Sequence, residues 1–276
     1  LFHSIKEGMS ENIPVMSHFV VIFGCYLVAF FLFCLRLITG HSSLSLIALR
    51  WTLISFFGHL FLLSFYFQGK GYPFLSNSFD FLQVMSLTIV LVYLVFSHFY
   101  RFYAAGLFLL PLTLVFSSMS LTKIIASTTP GHFFENPWAF IHLLFVSIGI
   151  AIFIVSFITG LLFIFQEIRI KKNIFGGFLD RLPSLESLDQ IYYKSLYLGF
   201  VLFTVGIITG GGWSKSETGH YLQITLKPML ALGIWIFFAI FLNLRKPLGL
   251  KGARGILLSA IGFLGAILLA SISNGL

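Results

Sequence analysis

Eight stretches of the chain stay apolar for roughly 17 to 25 residues, the length a helix needs to cross a hydrocarbon core about 30 Å thick. They predict helices over 17 to 38, 46 to 68, 80 to 99, 103 to 120, 138 to 166, 191 to 212, 227 to 244 and 255 to 273. Within each stretch the apolar residues run on and do not alternate with polar ones, which excludes transmembrane strands. The predicted fold class is therefore all-α, a polytopic transmembrane helical bundle of about eight helices in one integral membrane domain, 1 to 276.

The polar connections set the orientation. Arg36, Arg50, Arg101, Arg169, Lys171, Lys172, Arg181, Lys194, Arg245, Lys246, Lys251 and Arg254 fall on one side of such a bundle, and Lys6, Lys70, Lys123, Lys215 and Lys227 on the other. The side richer in Lys and Arg is expected to be cytoplasmic. Both termini then lie outside, with the loops around 69 to 79, 121 to 137 and 213 to 226. In the cytoplasmic connection Arg169 to Gln190, Leu179, Leu182, Leu185 and Leu188 recur at three-residue spacing and suggest a short interfacial helix, with Pro183 and Ser184 suited to its first turn.

Composition agrees. Of 276 residues, 58% are hydrophobic and 9% charged, too few polar groups to cover a soluble domain. The net charge of +8 sits in short clusters between apolar runs, so it reads as a topology signal and not as a nucleic-acid surface. Cys25 and Cys34, nine positions apart in the first apolar run, form neither a CxxC pair nor a suitable disulfide. That first run has no small-residue cleavage site after it and is expected to remain as a helix. No nucleotide-binding loop, HExxH, GxSxG or paired intramembrane Asp occurs, so an enzymatic role is not expected.

Polar side chains inside apolar helices carry the candidate chemistry, because lipid-facing polar groups are costly. His59, in Phe56-Phe57-Gly58-His59-Leu60, is expected to face the bundle, where an imidazole can bond a neighbouring helix or ligate a metal such as haem iron. His142 opens the fifth helix, four residues after the interfacial Trp138, and is either a polar anchor or a ligand. His132 and His220 fall in outer loops. The segment Gly210-Gly211-Gly212-Trp213-Ser214-Lys215-Ser216-Glu217-Thr218-Gly219-His220-Tyr221 is expected to end the sixth helix at its glycines, as a flexible exit or as backbone packed against a flat ligand.

From Gly210 to Arg245 the chain resembles, without gaps, the tryptophan-rich region of the cytochrome c assembly family, the CcsA and HemX type of haem-handling membrane proteins. That region reads approximately GxxWxxxxWGxYWxWDPKxxWALxxW, and Gly210, Trp213, Gly219, Tyr221, Lys227, Ala231, Leu232 and Trp235 stand in register with it. The resemblance extends to Asn77-Ser78-Phe79, Leu109-Leu110-Pro111-Leu112, Gln166-Glu167 and Leu182-Pro183-Ser184-Leu185-Glu186, the last looking like the HemX branch. His59 and His142 occupy the places of that branch's recurrent helix-two and helix-five histidines. The aromatic and acidic positions of the motif are replaced by Thr218, Leu222, Ile224, Thr225 and Leu226. Asn243 stands where relatives often carry a histidine, and no outer histidine follows the eighth helix.

The resemblance implies a HemX-like accessory or regulatory protein of haem handling or cytochrome c biogenesis, not a synthase, in the bacterial cytoplasmic (inner) membrane. The expected cofactor is haem b. The implied site is His142 as axial ligand to haem iron, Trp213 and Tyr221 as packing surfaces, Lys227 near a propionate, and His59 as a second iron ligand. His220 or His132 would serve as a substitute partner. The expected partners are the lipid bilayer and a membrane protein of cytochrome c assembly or haem synthesis. Two other readings remain open at this point, a small-molecule permease or channel and a structural partner of a membrane enzyme complex.

Overall fold

The computed structural model describes residues 2 to 70, 78 to 100, 102 to 123, 136 to 174, 183 to 245, 247 to 250 and 252 to 273. Among these, eight α-helices follow in chain order: α1 (Phe2–Thr39), α2 (Ser43–Lys70), α3 (Ser78–Tyr100), α4 (Gly106–Lys123), α5 (Pro137–Lys171), α6 (Leu185–Thr218), α7 (Leu226–Leu244) and α8 (Ala253–Ser273). A single 3-10 turn, Tyr103–Ala105, precedes α4. Six helices are long and apolar enough to cross a membrane, and Gly106–Thr122 and Ala253–Gly265 are shorter apolar helices. The chain is a polytopic helical membrane protein, as its apolar pattern predicts.

The helices form two compact units, Leu1–Glu135 and Asn136–Leu276. In each unit every helix packs on its chain neighbour and the fourth returns to the first: α1 on α2, α2 on α3, α3 on α4, α4 on α1, and likewise through α5 to α8. Short connections favour this arrangement. Gly40, with φ 81°, turns the chain after α1, a conformation in which a Cβ is strained.

Helix ends follow local chemistry. Asn136 caps α5 by accepting from the Trp138 N–H, with Pro137 at the first helical position. Ser184 caps α6 by accepting from the Ser187 N–H, so Pro183 and Ser184 do begin a helix. That helix is α6 itself: Leu185 and Leu188 belong to it, Leu188 fully buried, while Leu179 and Leu182 lie outside the described residues.

The other end of α6 differs from the expectation. The helix does not stop at Gly210–Gly212 but continues to Thr218, where Gly219, at φ 79°, closes it with its N–H on the Lys215 carbonyl. Packing explains this. Trp138, His142, Val146 and Phe153 line one face of α5 at spacings of four and seven residues, and meet Gly212, Gly210, Gly206 and Gly199 of α6. A Cβ built at any of these glycines would fall 2.7–2.8 Å from the facing side chain. Glycine's poor helix propensity is outweighed by the close approach it allows, as is common between membrane helices. At 1.5 Å per residue, α5 with 35 residues and α6 with 34 are each about 50 Å long. The pair therefore exceeds a hydrocarbon core of about 30 Å and carries helical structure beyond it.

Candidate functional site

In the second unit the N-terminal end of α5 and the C-terminal end of α6 come together around His142. Its ring Nδ1 lies 2.7 Å from the Gly206 carbonyl oxygen. A carbonyl only accepts, so Nδ1 carries the hydrogen and Nε2 keeps its lone pair. The side chain is half-buried. Gly210 presents bare backbone to the ring, and the Trp213 ring lies 5.9 Å away at 40°. Gly206, Gly210 and Trp213, at i, i+4 and i+7, thus place an acceptor, an open face and an aromatic plane on one histidine.

A second layer holds this corner together. The Asn136 amide donates to the Ser216 hydroxyl, tying the cap of α5 to the last turns of α6. The chain after Gly219 folds back over α6: the Ser214 hydroxyl donates to the His220 carbonyl at 2.8 Å, and Lys215 Nζ donates to the Tyr221 hydroxyl at 2.8 Å. The Lys215 ammonium also sits 4.1 Å from the centre of the Tyr221 ring, a cation–π contact. The backbone oxygen of Tyr221 approaches Gly211, where a Cβ would stand 3.3 Å from it.

Of the residues singled out in the sequence, His142 and Trp213 are in contact, and Tyr221 reaches the same end of α6 through Lys215 and Gly211. His220 is exposed and is held through its backbone. Lys227, half-buried, lies in the first turn of α7. His132 lies outside the described residues. Trp235 joins α7 to α6, its Nε1–H donating to the Thr204 hydroxyl at 2.9 Å and its ring stacking on Phe200 at 5.8 Å.

His59, in the first unit, has a different environment. It is fully buried, with Nδ1 3.2 Å from the Tyr26 hydroxyl and Nε2 3.0 Å from Gln83 Oε1. The Gln83 amide nitrogen donates to Ser120 Oγ at 2.8 Å, and the Ser120 hydroxyl donates to the Ser117 carbonyl at 2.6 Å. Phe19 meets the imidazole edge-on at 6.1 Å.

Three features here carried no local sequence signal. They are the Gly206 carbonyl, the Asn136–Ser216 tie, and an ion pair at the other end of the second unit, where Arg245 Nη2 lies 2.8 Å from Asp189 Oδ1. Arg245 also donates from Nε to the Leu250 carbonyl at 3.2 Å and covers the Tyr193 ring at 4.1 Å. Close by, the Tyr192 hydroxyl donates to Ser259 Oγ at 2.8 Å. The separation of Asp189 and Arg245 along the chain hides the pair from any short-range pattern.

Metal-bound histidines characteristically donate their other ring N–H to a carbonyl or carboxylate, and His142 does so while leaving Nε2 available. Aromatic and glycine surfaces flank it.

The chain is 24% identical over 267 residues to the cytochrome c biogenesis protein CcsA of Mesostigma viride, covering 87% of each. It is 24% identical over 295 residues to that of Pyropia yezoensis, covering 92% of each. A shorter stretch of 84 residues, 30% of this chain and 24% of the relative, is 42% identical to CcsA of Nostoc punctiforme. No solved structure matches. The family described as Cytochrome C assembly protein matches residues 53–274, most of the chain and all of the corner around His142, and the chain belongs to that family.

Proposed function

We propose that this chain serves cytochrome c assembly by holding haem b at the outer end of α5 and α6, as a HemX-like accessory or regulatory protein and not a synthase. The observation that carries the reading is the fixed tautomer of His142, whose Nδ1–H is bound to Gly206 O while Nε2 remains free to ligate. A bound haem would supply an iron as Lewis acid, and His142 Nε2 would be the nitrogen offered to it. The chain's own groups do the rest. Gly206 orients the imidazole, Gly210 and Trp213 give a flat wall beside it, and Lys215 and Lys227 supply cations suited to propionates at that end.

The accessory role follows from what replaces the aromatic positions of the motif. Leu222 and Ile224 are exposed and apolar, Ile224 to 88%, so neither offers the stacking surface of an aromatic ring there. In this reading the rim of the site faces away from the cytoplasm across a bacterial cytoplasmic membrane, an orientation that the positive-inside pattern supports. Absorption spectra of the detergent-purified protein, oxidised and reduced, test the reading. A Soret band in the wild type that disappears in His142→Ala is the expected result. A featureless spectrum from folded protein of haem-replete cells would overturn it.

A further inference from the structure

We infer that His59 is no haem-iron ligand: it is committed as the hub of a hydrogen-bonded chain that fastens all four helices of the first unit. Only the placing of haem at His142 rests on the function proposed above. The hub stands on its own geometry.

The direction of the chain is determined by its last member. Ser120 donates its hydroxyl hydrogen to the Ser117 carbonyl, so toward Gln83 it can only accept. The Gln83 amide nitrogen therefore faces Ser120 and its oxygen faces His59. His59 in turn donates from Nε2, and its Nδ1 accepts from the Tyr26 hydroxyl. Every donor meets an acceptor in one sense, from Tyr26 on α1 through His59 on α2 and Gln83 on α3 to Ser120 on α4. Such chains polarise one another and strengthen.

Iron would have to displace one of these bonds. Freeing Nε2 moves the ring hydrogen to Nδ1, opposes it to the Tyr26 O–H, and strips Gln83 Oε1 of its donor. Freeing Nδ1 strands the Tyr26 hydroxyl. Tyr26, His59, Gln83 and Ser120 are all at 0% exposure, so no water replaces the lost partner. The contrast with His142 lies in the acceptor: there a backbone carbonyl takes one nitrogen's hydrogen and the other nitrogen is left over.

Two measurements on the full chain decide the matter. The first is a thermal double-mutant cycle of His59→Ala and Gln83→Ala, with Ser120→Ala and His59→Asn as milder variants should the alanine changes not fold. Each single change is expected to lower the melting temperature by about 5 °C. The double variant should lose clearly less than the sum, and strict additivity would overturn the hub. The second follows nitrogen resonances of 15N-histidine-labelled protein on addition of haemin. His59 is expected to keep a hydrogen-bearing Nε2 and an accepting Nδ1, with haem retained in His59→Asn. Paramagnetic broadening of the His59 signal, or loss of haem on folding-competent His59 variants, would overturn the inference. Failure to bind any haem would refute the His142 site alone, and the cycle would then decide on the hub.

Discussion

Gly210→Ala is the smallest change that tests the construction of the His142 corner. The added methyl would lie 2.7 Å from His142 Nδ1 and 2.8 Å from Cε1, whereas such atoms rest at about 3.5–4.0 Å. The ring must retreat by roughly 1 Å, and its 2.7 Å bond to the Gly206 carbonyl then exceeds hydrogen-bond range. Losing that bond costs about 0.5–1.5 kcal/mol, and overpacking a close helix pair about 1–3 kcal/mol. Alanine's better helix propensity returns up to about 1 kcal/mol. The net is a destabilisation of about 0.5–4.5 kcal/mol by the same sources. The functional effect should be larger, because a metal-ligating imidazole that loses its orienting partner typically binds about 10–100-fold more weakly.

Gly233→Ala is the control, since nothing lies within 4 Å of a Cβ built there. It should leave haemin affinity unchanged and raise stability by about 0.5–1 kcal/mol. Thermal denaturation in detergent and a haemin titration followed at the Soret band measure both quantities. If Gly210→Ala bound haemin as the wild type does, with an unshifted band and equal stability, the clamp between Gly206 and Gly210 would be refuted.

Three further outcomes are expected. Asn136→Ala removes the α5 cap and the tie to Ser216, costs about 1 kcal/mol, and should loosen His142, readable as faster hydrogen exchange in the first turns of α5. Asp189→Asn leaves the buried Arg245 guanidinium without its counter-charge; because Asp189 itself keeps 28% exposure, the loss should fall near about 3 kcal/mol, the low end for a broken buried pair. Equilibrium unfolding checks this, and an unchanged midpoint would show that Tyr193 and the Leu250 carbonyl suffice for Arg245. Trp235→Phe keeps the stack on Phe200 but loses the bond to Thr204, a change of about 0.6 kcal/mol in a membrane protein; a much larger drop in melting temperature would mean that the indole supports more than these two contacts.

How much of this was legible in the sequence depends on the range of the interaction concerned. The eight helices could be read because each is determined by its own run of apolar residues, and Pro183-Ser184 because capping is local. The end of α6 was misread for a related reason. Local propensity says that three glycines stop a helix, but the residues that overrule it, Trp138, His142 and Val146, belong to another helix. Arg245 was read as a topology charge, and its pairing with Asp189 has no short-range signature.

The two histidines make the same point about the site. By residue type both His59 and His142 are candidates for iron, His59 in mid-helix and His142 at a helix entrance. What separates them is the number of ring nitrogens that tertiary packing consumes. At His142 a single carbonyl one helix away takes one hydrogen and leaves a lone pair. At His59 a tyrosine and a glutamine from two further helices take both nitrogens, and a serine from a fourth helix determines the direction in which they do so. Each of those partners is an ordinary residue of an apolar helix when read alone. The difference between a ligand and a hub is therefore a property of the assembled four-helix unit, and it becomes visible only when the hydrogens are counted around the whole ring.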